Sequence, residues 1–136
     1  VLSGSSTGII TTMTPNAYMT VAQASLDAPG VGTVQVSATA AFTIRDSDTD
    51  NEVFCGIART PTGTPTTVMR QGESNDIGSG ITALSLSNVG NFTVTAPGTN
   101  TFYYRCLMEW GSNGTNPHGR ATDRVISLAF FPAASI

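Results

Sequence analysis

The stretch "GTVQVSATAAFTIRD", residues 32–46, decides the fold class. Val34, Val36, Ala38, Ala40, Phe42 and Ile44 alternate with Gln35, Ser37, Thr39, Ala41, Thr43 and Arg45. Period two sustained over this length specifies a β-strand with one apolar face. Shorter runs of the same kind lie near residues 8–14, 18–26, 52–59, 66–71, 81–87, 91–96, 100–110 and 121–131. Between them stand the turn signals "DAPGVG", "RDSDTDN", "TPTGTP", "GESNDIGSG", "SNVGN", "APGTN" and "GSNGTNPHG". The expectation is about nine short antiparallel strands and no helix of useful length: an all-β, two-sheet sandwich forming a single domain over residues 1–136. An immunoglobulin-like sandwich wants a tryptophan on its third strand against a disulfide, whereas Trp110 ends the penultimate strand. A jelly roll of about 8–10 strands is the favoured architecture.

Composition excludes several functions. Charged residues make up 11% of the chain, against about 25% in an average soluble domain, and all six basic residues are arginines. With a net charge of −3 and no basic stripe, nucleic acid is not expected as a partner. No window approaches the roughly 18 apolar residues of a membrane-spanning helix, so membrane insertion is not expected. Ser, Thr, Asn and Gly fill the polar positions, a composition whose hydration changes little with salt or pH.

Cys55 and Cys106, the only two cysteines, each sit in a strand-like run. They are read as a disulfide between two strands, with two buried free thiols as the other reading. A bridge implies an extracellular or otherwise oxidising setting.

The last two strands are apolar on both faces. In "RVISLAFFP", residues 124–132, Val125, Ala129 and Phe131 point one way while Ile126, Leu128 and Phe130 point the other. In "TFYYRCLMEW", residues 101–110, Phe102, Tyr104, Cys106, Met108 and Trp110 form one face, and Tyr103 and Leu107 share the other with Arg105 and Glu109. One sandwich interior takes one set from each strand. The other set, Tyr103, Leu107, Ile126, Leu128 and Phe130, would leave a patch larger than a soluble monomer usually exposes. The expectation is an oligomer interface built on those five residues; a loop or the N-terminal strand folded over them within one chain is the alternative. Arg105 and Glu109 are read as an exposed pair.

These closing strands, "NFTVTAPGTNTFYYRCLMEWG" followed by "RVISLAFFP", resemble trimeric jelly-roll heads of the tumour-necrosis-factor and complement-head type, including the knobs that tip phage fibres and needles. The resemblance covers the final third of the chain. It implies a homotrimer around the aromatic outer face.

Candidate chemistry is sparse. Asp46, Asp48 and Asp50 alternate as at the start of a calcium loop, but Asn51 and Ile57 stand where an EF-hand needs Gly and Glu. A shallow Ca2+ site and a solvated acidic turn are the two readings. His118 has no G-x-S-x-G serine to serve, so no enzyme is expected. The loop from Gly111 to Arg120 offers Trp110 with Asn113, Asn116, His118 and Arg120, the aromatic, amide and guanidinium groups that hold a sugar. Two functions follow: a non-catalytic homotrimeric head or tip domain meeting a cell-surface glycan or protein receptor from a virion or extracellular surface, or a monomeric carbohydrate-binding sandwich. In the second, Trp110, Tyr103 or Tyr104 is the stacking platform, and the acidic turn holds calcium.

Overall fold

A computed structural model describes residues 2–8, 11–12, 17–45, 51–73, 81–109 and 118–134 of the chain. They form nine strands: β1 (Leu2–Gly8), β2 (Thr11–Thr12), β3 (Tyr18–Ala28), β4 (Gly32–Arg45), β5 (Asn51–Ala58), β6 (Thr66–Glu73), β7 (Ile81–Val94), β8 (Gly98–Glu109) and β9 (His118–Pro132). One sheet has the order β1-β9-β4-β7, with β2 also on β9; the other has the order β3-β8-β5-β6. Every pairing is antiparallel. With β1 and β2 counted as one interrupted strand, eight strands divide four to each sheet, and every connection except β5–β6 crosses from one sheet to the other, which is a jelly roll. β1 runs beside β3, and β6 beside β7, so the sheets also meet along both edges.

The alternation in β4 places Val34, Val36, Ala38, Ala40 and Phe42 in the interior, where each is at most 2% exposed. Phe102, Tyr104, Cys106 and Met108 face them from β8, and Val53, Cys55 and Ile57 from β5. β9 carries a bulge, where its register with β4 shifts between Thr39 and Ala41 and Asp123 takes a φ of 44°. Such a bulge exchanges the faces of the residues that follow. Ala121 points inward before it, and Ile126, Leu128 and Phe130 point inward after it.

That placement corrects one expectation. Ile126, Leu128 and Phe130 are 0–2% exposed within a single chain, so they are core and not an oligomer interface. The outward set of β9 is the weaker one: Val125, Ser127 and Ala129 are half-buried and Phe131 is exposed. Three large side chains without a polar interruption fill the interior better than a set broken by Ser127, and burial takes the larger gain.

A second correction concerns "SNVGN", which is no turn: β7 runs unbroken through it. Asn88 and Gly90 point into the interior. A Cβ on Gly90 would lie 2.9 Å from the Phe92 ring, so that ring occupies the space a side chain would need. Asn88 is buried but fully employed. Its Nδ2 donates to the Cys55 carbonyl at 2.9 Å and the Thr67 carbonyl at 2.7 Å, and its Oδ1 accepts from the Tyr104 hydroxyl. Those two carbonyls flank a register shift between β5 and β6, where Thr67 has a φ of 51°. Asn88 thus satisfies backbone groups that the irregular ladder leaves over, and it ties the two sheets together. Burial pushes the Tyr104 phenol well above its ordinary pKa.

Cys55 and Cys106 are directly opposite each other on β5 and β8, with Cα atoms 4.2 Å apart, and are joined as a disulfide inside the core. The bridge links neighbours in one sheet, not one sheet to the other.

Candidate functional site

The outer face of the β3-β8-β5-β6 sheet carries a group of half-buried apolar side chains, while Val89 and Phe131 are exposed on the other sheet. Leu107 lies opposite Tyr18 on β3 and Phe54 on β5, and all three are half-buried. Directly opposed residues have Cβ atoms about 4.5–5.5 Å apart, so the three form one cross-strand row. Tyr103, also half-buried, stands four positions along β8, opposite Gln23 and Ala58. Tyr103 and Leu107 therefore do lie on an outer face as the sequence suggests. Glu109 and Glu52 oppose each other beyond Leu107.

Arg105 lies between Tyr103 and Leu107 and is 9% exposed, so it is no exposed partner of Glu109. The loop joining β5 to β6, residues 59–65, folds over it. Arg105 donates to the Pro61 carbonyl, to Thr20 Oγ1 at 3.1 Å and to the Tyr18 carbonyl at 3.4 Å. A Cβ on Gly56 would lie 2.7 Å from Pro65 and from the Thr66 carbonyl, so the returning loop needs glycine there. Sequence reasoning missed this clasp because its partners are 44 and 85 positions away from Arg105.

At its other end the loop shapes a depression of about 360 Å³, lined by Ile57, Ala58, Arg59, Thr60, Gly63, Thr64, Thr66 and Phe92. Arg59 lies with its Cζ 5.3 Å from the Phe92 ring centre and 5.2 Å from that of Phe102, and its Nη2 donates to the Thr93 carbonyl at 2.6 Å. The two rings are themselves in contact at 5.0 Å.

The other sequence candidates are not brought into this site. Trp110, Asn113 and Asn116 lie outside the described residues, as do Asp46, Asp48 and Asp50. His118 begins β9 opposite Arg45, and Arg120 is exposed on β9 opposite Thr43. Tyr104 is fully buried and cannot be a stacking platform. Among the described residues no three His, Cys, Asp or Glu side chains are grouped to hold a metal. No described helix is long and apolar enough to cross a membrane.

No family model matches the sequence, and no curated protein matches it. Solved structures do match in shape. The protein of T=1 particles derived from infectious bursal virus superposes with a TM-score of 0.55 at 13% identity, over 93% of this chain and 31% of that one. A mutant VP2 protein of infectious bursal disease virus, also in T=1 particles, gives the same values. Eiger TNF from S. frugiperda superposes with a TM-score of 0.53 at 10% identity, over 99% of this chain and 95% of that one. This chain thus spans under a third of the viral proteins and nearly all of the Eiger chain. At such identities the likeness establishes the fold: the chain is a jelly-roll sandwich.

Proposed function

We propose that this chain is a non-catalytic jelly-roll module that assembles with copies of itself, as a homotrimeric head or tip on a virion or other extracellular surface, and presents its loops to a glycan or protein receptor. The observation that carries the reading is the half-buried row Tyr18–Leu107–Phe54 outside the core, with Tyr103 further along the same face beyond the buried Arg105. Aromatic residues are enriched in protein interfaces, and covering the rest of this row gains about 25 cal/mol per Å² of apolar surface. The disulfide supports an oxidising location. Jelly rolls of similar shape build T=1 particles in one case and a TNF in another, which supports assembly as the use of the fold. The resemblance to trimeric heads supplies the symmetry number. Multi-angle light scattering tests the reading: the expected mass is three chains, and the mass of one chain at all concentrations overturns it.

One observation favours a second reading, a monomeric carbohydrate-binding sandwich. Tyr103 stands half-buried on the outer face opposite Gln23, an aromatic and an amide side by side on which a sugar ring can stack. Glycan binding by a monomer, lost in Tyr103→Ala, is the result that selects it. Loss of that binding with a chelator would add the calcium site.

A further inference from the structure

We propose that the depression under the β5–β6 loop is a binding site for a carboxylate-bearing sugar unit, with Arg59 as the residue that holds the carboxylate. The inference rests on the recognition half of the reading above and gives it a place and a ligand class. Arg59 is exposed, yet it is fixed: its guanidinium lies over Phe92 and Phe102 and one nitrogen is anchored on the Thr93 carbonyl. These partners are two ring faces and a neutral carbonyl, so the positive charge is oriented without being neutralised by them. A guanidinium already held in one geometry loses little freedom when it meets a ligand, and its planar fork matches a carboxylate.

The surroundings narrow the ligand. Ile57 and Phe92 make an apolar floor, and Thr60 and Thr64 supply hydroxyls along the loop. Thr66 Oγ1 is committed to the Ile57 carbonyl at 3.1 Å and is not counted. The loop closes tightly through the Gly63 amide, which donates to the Thr60 carbonyl at 3.2 Å, and a Cβ on Gly63 would lie 2.3 Å from Thr60 Oγ1. Glycine at 63 therefore lets the Thr60 hydroxyl sit at this rim. An apolar floor, hydroxyls at the side and one rigid cation suit a pyranose ring that carries a carboxylate. A volume of about 360 Å³ stands at the small end of ligand sites, the size of a single sugar unit. Sialic and uronic acids share this chemistry.

The test is an NMR titration of the ¹⁵N-labelled full chain with sialyllactose, with a glucuronic acid glycoside and with lactose. The expected result is that one or both acidic sugars move the Thr60, Gly63 and Thr64 amides and that lactose binds about tenfold more weakly or not at all. Which acidic sugar binds tells the two sources apart. Arg59→Gln should weaken the acidic sugar by about tenfold, the cost of a lost charged hydrogen bond. If that variant fails to fold, Thr64→Val, at an exposed loop position, is the substitute and should weaken binding severalfold. Shifts centred elsewhere, equal binding of lactose, equal displacement by inorganic sulfate, unchanged binding in the folded variants, or no shift with either acidic sugar would each overturn the proposal. Light scattering on the same sample separates the two readings: three-chain assemblies without sugar binding leave the assembly standing and remove this site alone.

Discussion

The two sheets turn opposite kinds of surface to the outside. On the β1-β9-β4-β7 sheet, Thr33, Gln35, Ser37 and Thr39 face out from β4 beside Thr93, Asn91, Val89 and Ser87 of β7 and Phe131, Ala129, Ser127 and Val125 of β9. None of these side chains is ionisable, and most are small. On the β3-β8-β5-β6 sheet, Tyr18, Phe54, Tyr103 and Leu107 stand among Asp27, Glu52, Arg105 and Glu109, and a loop is clasped over part of the face. The first face is wetted mainly by hydroxyls and amides, with Val89 and Phe131 exposed among them; the second is already partly covered and groups its larger apolar side chains in a row. An apolar surplus in a strand therefore points to a partner only after the inward set has been identified, because the stronger set on β9 is core and the surplus on β8 is not.

The largest expected effect tests that division. Phe130→Ala should destabilise the fold by about 3–5 kcal/mol in denaturant titration, the usual cost of truncating a buried phenylalanine, and leave the mass per particle unchanged. If it dissociated an assembly without loss of stability, β9 would be an interface after all. Removing both cysteines, Cys55→Ala with Cys106→Ala, should cost about 4 kcal/mol by loop closure across 51 positions, with measured values often lower. An unchanged unfolding midpoint would mean that the bridge is absent in solution.

Alkaline pH should produce a smaller, graded loss. The Tyr104 phenol is raised by burial, so the folded state keeps its proton after the unfolded chain, at about 10, has released it. Its contribution is complete below that pH and is lost as pH rises above it, at up to about 1.4 kcal/mol per pH unit. Tyr104→Phe should flatten the slope, read from midpoints between about pH 9 and 11. The smallest effect is expected at the surface: Tyr103→Ser should change chain stability by less than about 1 kcal/mol while weakening assembly.

Much of the fold was legible in residues 32–46, where twelve alternating positions, broken only by Ala41, admit one period and therefore one class of element. Of the eight other runs, 18–26, 52–59, 66–71, 100–110 and 121–131 each fall on a strand, 81–87 and 91–96 share the single strand β7, and of the run near 8–14 the described residues Gly8, Thr11 and Thr12 are in strands. The errors have physical causes. "SNVGN" carries every local sign of a turn, and only the long-range partners of Asn88, at Cys55, Thr67 and Tyr104, make it a buried strand. For β9 both parities are apolar, and the bulge at Asp123 is invisible to a periodicity count. The size of Ile126, Leu128 and Phe130 against the Ser127 set was the available signal. Of the candidate site, Tyr103 and Leu107 were legible from alternation on β8. The Arg105 clasp and the Arg59 depression were not, because both depend on where a loop lands.

The most direct test of the account compares charge placed on the two outer faces. Light scattering should show Leu107→Glu as single chains and Ser37→Glu as assemblies of the same mass as the parent, with both variants folded by circular dichroism. Assemblies that survive Leu107→Glu and fall apart with Ser37→Glu would contradict it and move the contact to the β1-β9-β4-β7 sheet.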